Sequence, residues 1–149
     1  MPIDPTKTIL IVDDSDDDYD ATVRALCKDE DLRNPLHRCE SGGEALDYLY
    51  RRGRYAPPAE APRPGIVLLD LNMPGIDGRE VLSIVKNDES LRLIPVIVMT
   101  NSNDDRDVTA CYDVGANTYI QKPLDSASFY EAAHRLKEYW LEIAVLPKA

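Results

Sequence analysis

Ile66-Val67-Leu68-Leu69 delivers one carboxylate, Asp70, and is closed off on both sides, by Pro64-Gly65 and by Pro74-Gly75. So short and uniformly apolar a run reads as a strand buried on both faces, the form taken inside parallel sheets covered by helices. Asp70 then stands at the carboxyl end of its strand, where open α/β sheets carry their ligand crevice. An isolated aspartate in that place simply opens a turn. Its meaning depends on what else reaches the same sheet edge.

The rest of the chain repeats the arrangement. Thr8-Ile9-Leu10-Ile11-Val12 is a β-branched apolar run ending in Asp13-Asp14, and Val96-Ile97-Val98-Met99 is a third, after Pro95, ending in Thr100-Asn101. Leu36-His37-Arg38-Cys39-Glu40 alternates, as expected of a strand near a sheet edge with one wetter face. Ala116-Asn117-Thr118-Tyr119-Ile120 is a short strand running into Gln121-Lys122-Pro123. Between these lie helices. Ser15 or Asp16 caps the first, with Tyr19, Val23 and Leu26 inward; Ser41-Gly42-Gly43-Glu44 is a capping box opening a second that ends near Gly53. Asp77-Gly78-Arg79-Glu80 opens a third, Ser102 with Asp105 caps a fourth that stops at Gly115, and Asp125 caps a fifth whose Phe129, Ala133, Leu136, Trp140 and Ile143 keep helical spacing. Asp16, Asp17, Asp18 and Asp20 read as solvent-facing acids complementing a helix dipole.

Strand and helix alternate five times. That order predicts an α/β fold: a flavodoxin-like, doubly wound five-stranded parallel sheet, order 2-1-3-4-5, with helices on both faces. Asp13, Asp14, Asp70, Thr100 and Lys122 then converge from four strands on one edge.

Acidic residues outnumber basic ones 27 to 17, for a net charge of −10, which disfavours DNA and anionic membranes as partners. Cys27, Cys39 and Cys111 lack CxxC spacing and read as small, largely buried thiols in a reducing compartment. The amino terminus has no basic segment followed by an apolar one, and no apolar run is long enough to span a bilayer, so the expectation is a soluble cytoplasmic protein. The length fits one domain with one core.

Two carboxylates about 4 Å apart repel by about 4 kcal/mol at an effective dielectric near 20. Such a group binds protons or a cation, and its hard oxygens suit Mg²⁺; neither His37 nor His134 sits at a strand end to favour zinc. A bound Mg²⁺ recruits a phosphoryl group, whose oxygens Lys122 and Thr100 can meet with an ammonium and a hydroxyl. Asp70 is placed to attack phosphorus and form an aspartyl phosphate.

Ile-Leu-Ile-Val-Asp-Asp at 9–14, Leu-Leu-Asp-Leu-Asn-Met-Pro-Gly-Ile-Asp-Gly at 68–78, Val-Met-Thr at 98–100, Gly-Ala-Asn-Thr-Tyr-Ile at 115–120 and Lys-Pro at 122–123 closely resemble the receiver domain of two-component response regulators. The likeness spans about residues 7–136, leaving 137–149 as a helical extension within a single-domain chain of 1–149. It implies phosphotransfer to Asp70 from a sensor histidine kinase or histidine phosphotransfer protein. It also implies Mg²⁺ bound by Asp14 and Asp70, by the backbone carbonyl of Asn72, and by Asp13 through water. Lys122 pairs with the phosphoryl group, Thr100 moves toward it, and Tyr119 turns inward behind Thr100. Asn72 and Ser102 occupy positions resembling those that tune phosphoryl lifetime.

Two features depart from a minimal receiver: the proline-rich stretch Arg54–Pro64, flanked by Arg51 and Arg52, and the tail Glu138–Pro147. The first reads as a solvent-exposed connector, with partner docking as the alternative. Both resemble the stand-alone receivers that serve bacterial and cyanobacterial phytochromes, which implies a homodimer through the carboxy-terminal side, formed by the fourth helix, fifth strand, fifth helix and the tail with Trp140; packing of the tail within the chain is the alternative. Two other functions compete. A haloacid-dehalogenase-style phosphohydrolase needs a general-acid aspartate two residues after the nucleophile, where this chain has Asn72. A constitutive scaffold would have no use for the intact acid, hydroxyl and lysine set.

Overall fold

A computed structural model describes residues 4–28, 32–102 and 104–147; the amino-terminal residues 1–3 and the last two residues of the extension lie outside them. Five strands, β1 (Thr8–Val12), β2 (Leu36–Cys39), β3 (Pro64–Leu69), β4 (Val96–Thr100) and β5 (Thr118–Gln121), alternate with α1 (Asp16–Leu26), α2 (Gly42–Tyr50), α3 (Gly78–Asn87), α4 (Asp105–Val114) and α5 (Ser126–Lys137). The sheet has the expected order β2-β1-β3-β4-β5, and every pairing is parallel.

Strand alternation sorts the core into two layers. Leu10, Val12, Val67, Leu69, Val96 and Val98 face Leu46, Leu82, Val85 and Cys111 of α2, α3 and α4. Ile9, Ile11, Ile66, Leu68, Ile97 and Met99 face Leu26 of α1 and Phe129 and Leu136 of α5. The three inner strands are buried throughout, whereas β2 and β5 are half-open, as sheet edges are. In register, Val12 lies beside Leu69, Leu69 beside Val98, and Val98 beside Tyr119. The strands therefore finish level, and the residues that follow them share one edge.

Helix starts follow the side-chain caps. The oxygens of Ser15, Ser41, Asp77 and Asp125 accept from the backbone amides of Asp18, Glu44, Glu80 and Ser128. Four expectations need correction. Asp104, not Ser102, caps α4, because the Ser102 hydroxyl is engaged by Asp107. Helix α2 stops at Tyr50, three residues early: Arg51 turns into the left-handed region (φ 54°), and the amide of Arg52 closes onto the Asp47 carbonyl. Cys27 is exposed, just past the end of α1. Past α5 the helical register widens into a π-helical segment, Glu138–Ile143, which tucks Leu141 into the α1/α5 layer with Trp140 and Leu146 packed beside it. Much of the tail thus finds its partner within the chain.

The connector is less open than its prolines suggest. Gly53–Tyr55 forms a single 3₁₀ turn, and Tyr55 and Ala61 are buried in the α2/α3 layer. The Tyr48 hydroxyl donates to the Pro62 carbonyl at 2.8 Å, pinning the stretch just before β3.

Candidate functional site

The level strand ends bring the expected residues together. Asp13 (5% exposed), Asp70 (7%) and Lys122 (3%) are buried and Thr100 is fully so, while Asp14 faces solvent. Lys122 Nζ lies 2.9 Å from Asp13 Oδ2 and 3.3 Å from Asp70 Oδ2. Asp13, Asp14 and Asp70 each place a carboxylate oxygen within 4.8 Å of the other two. Asp18 joins them, its Oδ2 2.8 Å from Lys122 Nζ. The solvent-facing reading of the first-turn acids therefore fails at Asp18. Asp16 is also engaged, pairing with Arg38 at 2.7 Å.

Three carboxylates on one ammonium, with Asp14 beside two of them, leave negative charge in excess. Burial raises the Asp13 carboxyl above its ordinary range; Lys122 opposes the shift and the Asp70 charge adds to it. Burial works against the Lys122 ammonium, but the hydrogen bond to Asp18 and the charges of Asp13 and Asp70 outweigh it and hold the lysine protonated. An all-oxygen set with surplus negative charge fits a hard divalent cation. The acids are also aimed. The amide of Ser15 donates to Asp13 Oδ1 at 2.9 Å and that of Asn72 to Asp70 Oδ1 at 3.2 Å, leaving each Oδ2 to Lys122. Gly78 lets α3 begin directly over this turn, since a Cβ there would sit 2.1 Å from the Asp70 carbonyl oxygen.

A second group occupies the β4 side. Thr100 Oγ1 accepts from the Asn72 side-chain amide at 3.1 Å and from the Ser102 backbone amide at 3.3 Å. Tyr119, half-buried against the α2/α3/α4 layer, donates its hydroxyl to the Ser102 carbonyl at 3.1 Å. The Ser102 hydroxyl donates to Asp107 Oδ2 at 2.6 Å, and Arg79 from α3 grips the same carboxylate with both prongs of its guanidinium, at 2.8 and 2.6 Å. Those bonds, the Arg79 bond foremost, hold the Asp107 carboxyl at about 2. Arg79, Asp107 and the Asn72 side chain carry no sequence signal for these roles. A helix-capping box and a first-turn acid account for Arg79 and Asp107 locally, and their pairing joins residues 28 apart.

The model of the response regulator receiver domain matches residues 9–134. Response regulator Rcp1 of Synechocystis sp. (strain ATCC 27184 / PCC 6803 / Kazusa) is 36% identical over 145 residues, spanning 97% of this chain and 96% of Rcp1. The crystal structure of its Mn(2+)-bound form superposes with a TM-score of 0.89 at 34% identity, covering 95% of this chain and 99% of that one. The phosphorylated cyanobacterial phytochrome response regulator RcpA gives the same TM-score at 36% identity (96% and 99% covered). RPA3017, a response regulator in red light signaling of R. palustris, gives 0.84 at 36% identity, with the same coverage. Among the described residues no helix is long and apolar enough to cross a membrane. Agreement of this extent, in sequence and in fold, settles the family: the chain belongs to the response regulator receiver domains of two-component signalling.

Proposed function

We propose that Asp70 is the phosphoacceptor, supplied by a sensor histidine kinase or a histidine phosphotransfer protein. The observation that carries this reading is Lys122 Nζ standing 3.3 Å from Asp70 Oδ2 on a buried edge where carboxylates outnumber cations. An oxygen of the Asp70 carboxylate attacks phosphorus; the new O–P bond forms as the donor's N–P bond breaks, and the departing imidazole keeps that electron pair. Lys122, released from part of its carboxylate contacts, pairs with the phosphoryl oxygens. Asp14, Asp70 and the Asn72 carbonyl, with Asp13 through water, would hold Mg²⁺, whose charge neutralises the phosphoryl oxygens during transfer. Thr100 then exchanges its Asn72 donor for a bond of its own to the phosphoryl group, and Tyr119 follows the Ser102 carbonyl.

The chain is read as a signalling protein that acts on no outside substrate, because Asn72 presents a carboxamide with no acidic proton where a phosphohydrolase needs a general acid. Residues 7–136 form the receiver and 137–149 an extension. The likeness to RcpA, Rcp1 and RPA3017 supports a place in light signalling, with a cytoplasmic phytochrome kinase as donor. Tyr139, Ile143 and Val145 remain exposed on the tail and supply the apolar patch of a homodimer built from α4, β5, α5 and the tail.

Incubation with acetyl phosphate and Mg²⁺ tests the central step. Intact mass is expected to rise by one phosphoryl group, with no adduct on Asp70→Asn. Rapid turnover of many phosphoesters would overturn the reading in favour of a hydrolase, and absence of any adduct from any donor would favour a scaffold. Sedimentation of Ile143→Glu tests the dimer, which the substitution is expected to dissociate.

A further inference from the structure

A second cluster of ionisable side chains lies away from the acid edge, on the α2 face of edge strand β2. His37 and Cys39, two residues apart, project from the same face of the strand, and Glu44 reaches them from the first turn of α2. One ligand atom from each, an imidazole nitrogen, Sγ and a carboxylate oxygen, lies within 4.8 Å of the others. Phosphotransfer uses none of them.

The imidazole is held in place by rings. His37 stacks on Tyr48, with centroids 4.7 Å apart and planes at 29°, and meets Tyr55 edge-on at 5.4 Å. Its Nε2 is 2.8 Å from the Tyr55 hydroxyl, and that same hydroxyl donates to Glu44 Oε2 at 2.6 Å. A single phenol oxygen therefore fills the point on which nitrogen and carboxylate converge. Arg54 closes the outer side by pairing with Glu44, and its guanidinium is largely exposed.

We propose that His37, Cys39 and Glu44 form a transition-metal site for a borderline-soft dication such as Zn²⁺, with the Tyr55 hydroxyl as its displaceable occupant. One sulfur, one nitrogen and one oxygen donor make a set of the kind zinc takes, with a fourth position left for water or the phenol oxygen. Metal–ligand bonds of about 2.0–2.3 Å space tetrahedral ligands by under about 4 Å, so ligand atoms already within 4.8 Å of one another need only a small closure on loading. Binding forms the metal–sulfur bond as the Cys39 S–H proton leaves to solvent, one proton per ion, while Glu44 trades its Tyr55 and Arg54 partners for the cation. Access runs along the open edge of β2, past Arg54. The chain then carries two cation sites sorted by hardness: the all-oxygen edge at Asp70 prefers Mg²⁺, and a thiolate site rejects it.

Co²⁺ titration of the Cys27→Ser/Cys111→Ala protein in excess Mg²⁺ tests this, since Cys39 is then the sole thiol and the acid edge can contribute oxygen ligands alone. One equivalent of Co²⁺ is expected to bind, with a thiolate-to-cobalt charge-transfer band and tetrahedral visible absorption. Both features should vanish in His37→Ala, with circular dichroism unchanged, and in Cys39→Ser. Arg54→Ala should strengthen binding by removing a competing cation from Glu44. A folded protein showing no charge-transfer band would overturn the site, as would a band that survives His37→Ala.

Discussion

Asp13 and Asp107 both serve the carboxyl edge of the sheet, yet their carboxyl groups are shifted in opposite directions. Asp13 is pushed up, chiefly by burial, while Asp107 is held at about 2 by Arg79 and Ser102. The difference is one of supply. Around Asp13, three carboxylates share the Lys122 ammonium; Asp107 is met by both prongs of a guanidinium and by a hydroxyl. The first region is short of positive charge and gains by binding a cation and a phosphoryl group. The second is already satisfied and changes only by exchanging partners. They meet at Asn72, whose backbone amide holds Asp70 while its side chain holds Thr100.

The largest effect should come from removing the shared ammonium. Lys122→Met keeps the length of the side chain and leaves the buried carboxylates without a counter-charge, so stability without divalent cation should fall by about 3 kcal/mol in urea unfolding. Mg²⁺ should recover more stability in this variant than in the parent, because the competing charge is gone. A loss below about 0.5 kcal/mol, the ordinary range for surface changes, would mean that solvent rather than Lys122 balances the acids, and the contrast between the regions would disappear.

What could be read from the sequence follows the range of the interactions. The apolar runs, their polar ends and the helix caps at Ser41, Asp77 and Asp125 are local patterns, and from them come the strand order and the convergence of Asp13, Asp70, Thr100 and Lys122. Asp18 was illegible because nothing near it announces a lysine 104 residues later, so it read as one more solvated acid in a first turn. The Arg79–Asp107 fork has the same character. Tyr55 was hidden by prolines that signal an exposed connector, although one buried aromatic suffices to anchor the segment. The tail's helical spacing was real, but it does not distinguish an α-helix from the wider π-helical turn that brings Leu141 inward.

The two carboxylates can next be set against each other in one pH series. Arg79→Ala should cost about 1 kcal/mol at neutral pH, a figure that allows for the solvent exposure of Arg79. Because the native Asp107 group lies below its ordinary value of 3.8, its contribution is complete above that value and is lost as pH falls through about 2. The gap between parent and variant should therefore close on acidification. Asp13→Asn should do the reverse. A carboxyl raised in the native state supports folding below 3.8 and ceases to as pH rises through its native value, so the variant should gain over the parent at neutral pH and lose that gain in acid. Differences of the same sign in both variants would show that the two regions share one electrostatic environment.

Tyr119→Phe should have the smallest effect on stability and discriminates best between the two regions. It removes one hydrogen bond, to the half-buried carbonyl of Ser102, so about 0.5 kcal/mol is at stake. Tyr119 has no hydrogen bond to Asp13, Asp70 or Lys122, and uptake of phosphoryl from acetyl phosphate should proceed at the parent rate. What should change is the far side. In the parent, amide exchange in the first turn of α4 should respond to phosphorylation, because a Thr100 that leaves Asn72 also releases the Ser102 amide, and Ser102 is tied to both Tyr119 and Asp107. Without the phenol hydroxyl one of those ties is gone, and the response should weaken while the adduct forms normally. If uptake slows as well, the charge-poor and the self-satisfied regions act as one unit, with Tyr119 helping to position Asp70 from across the β4 strand end.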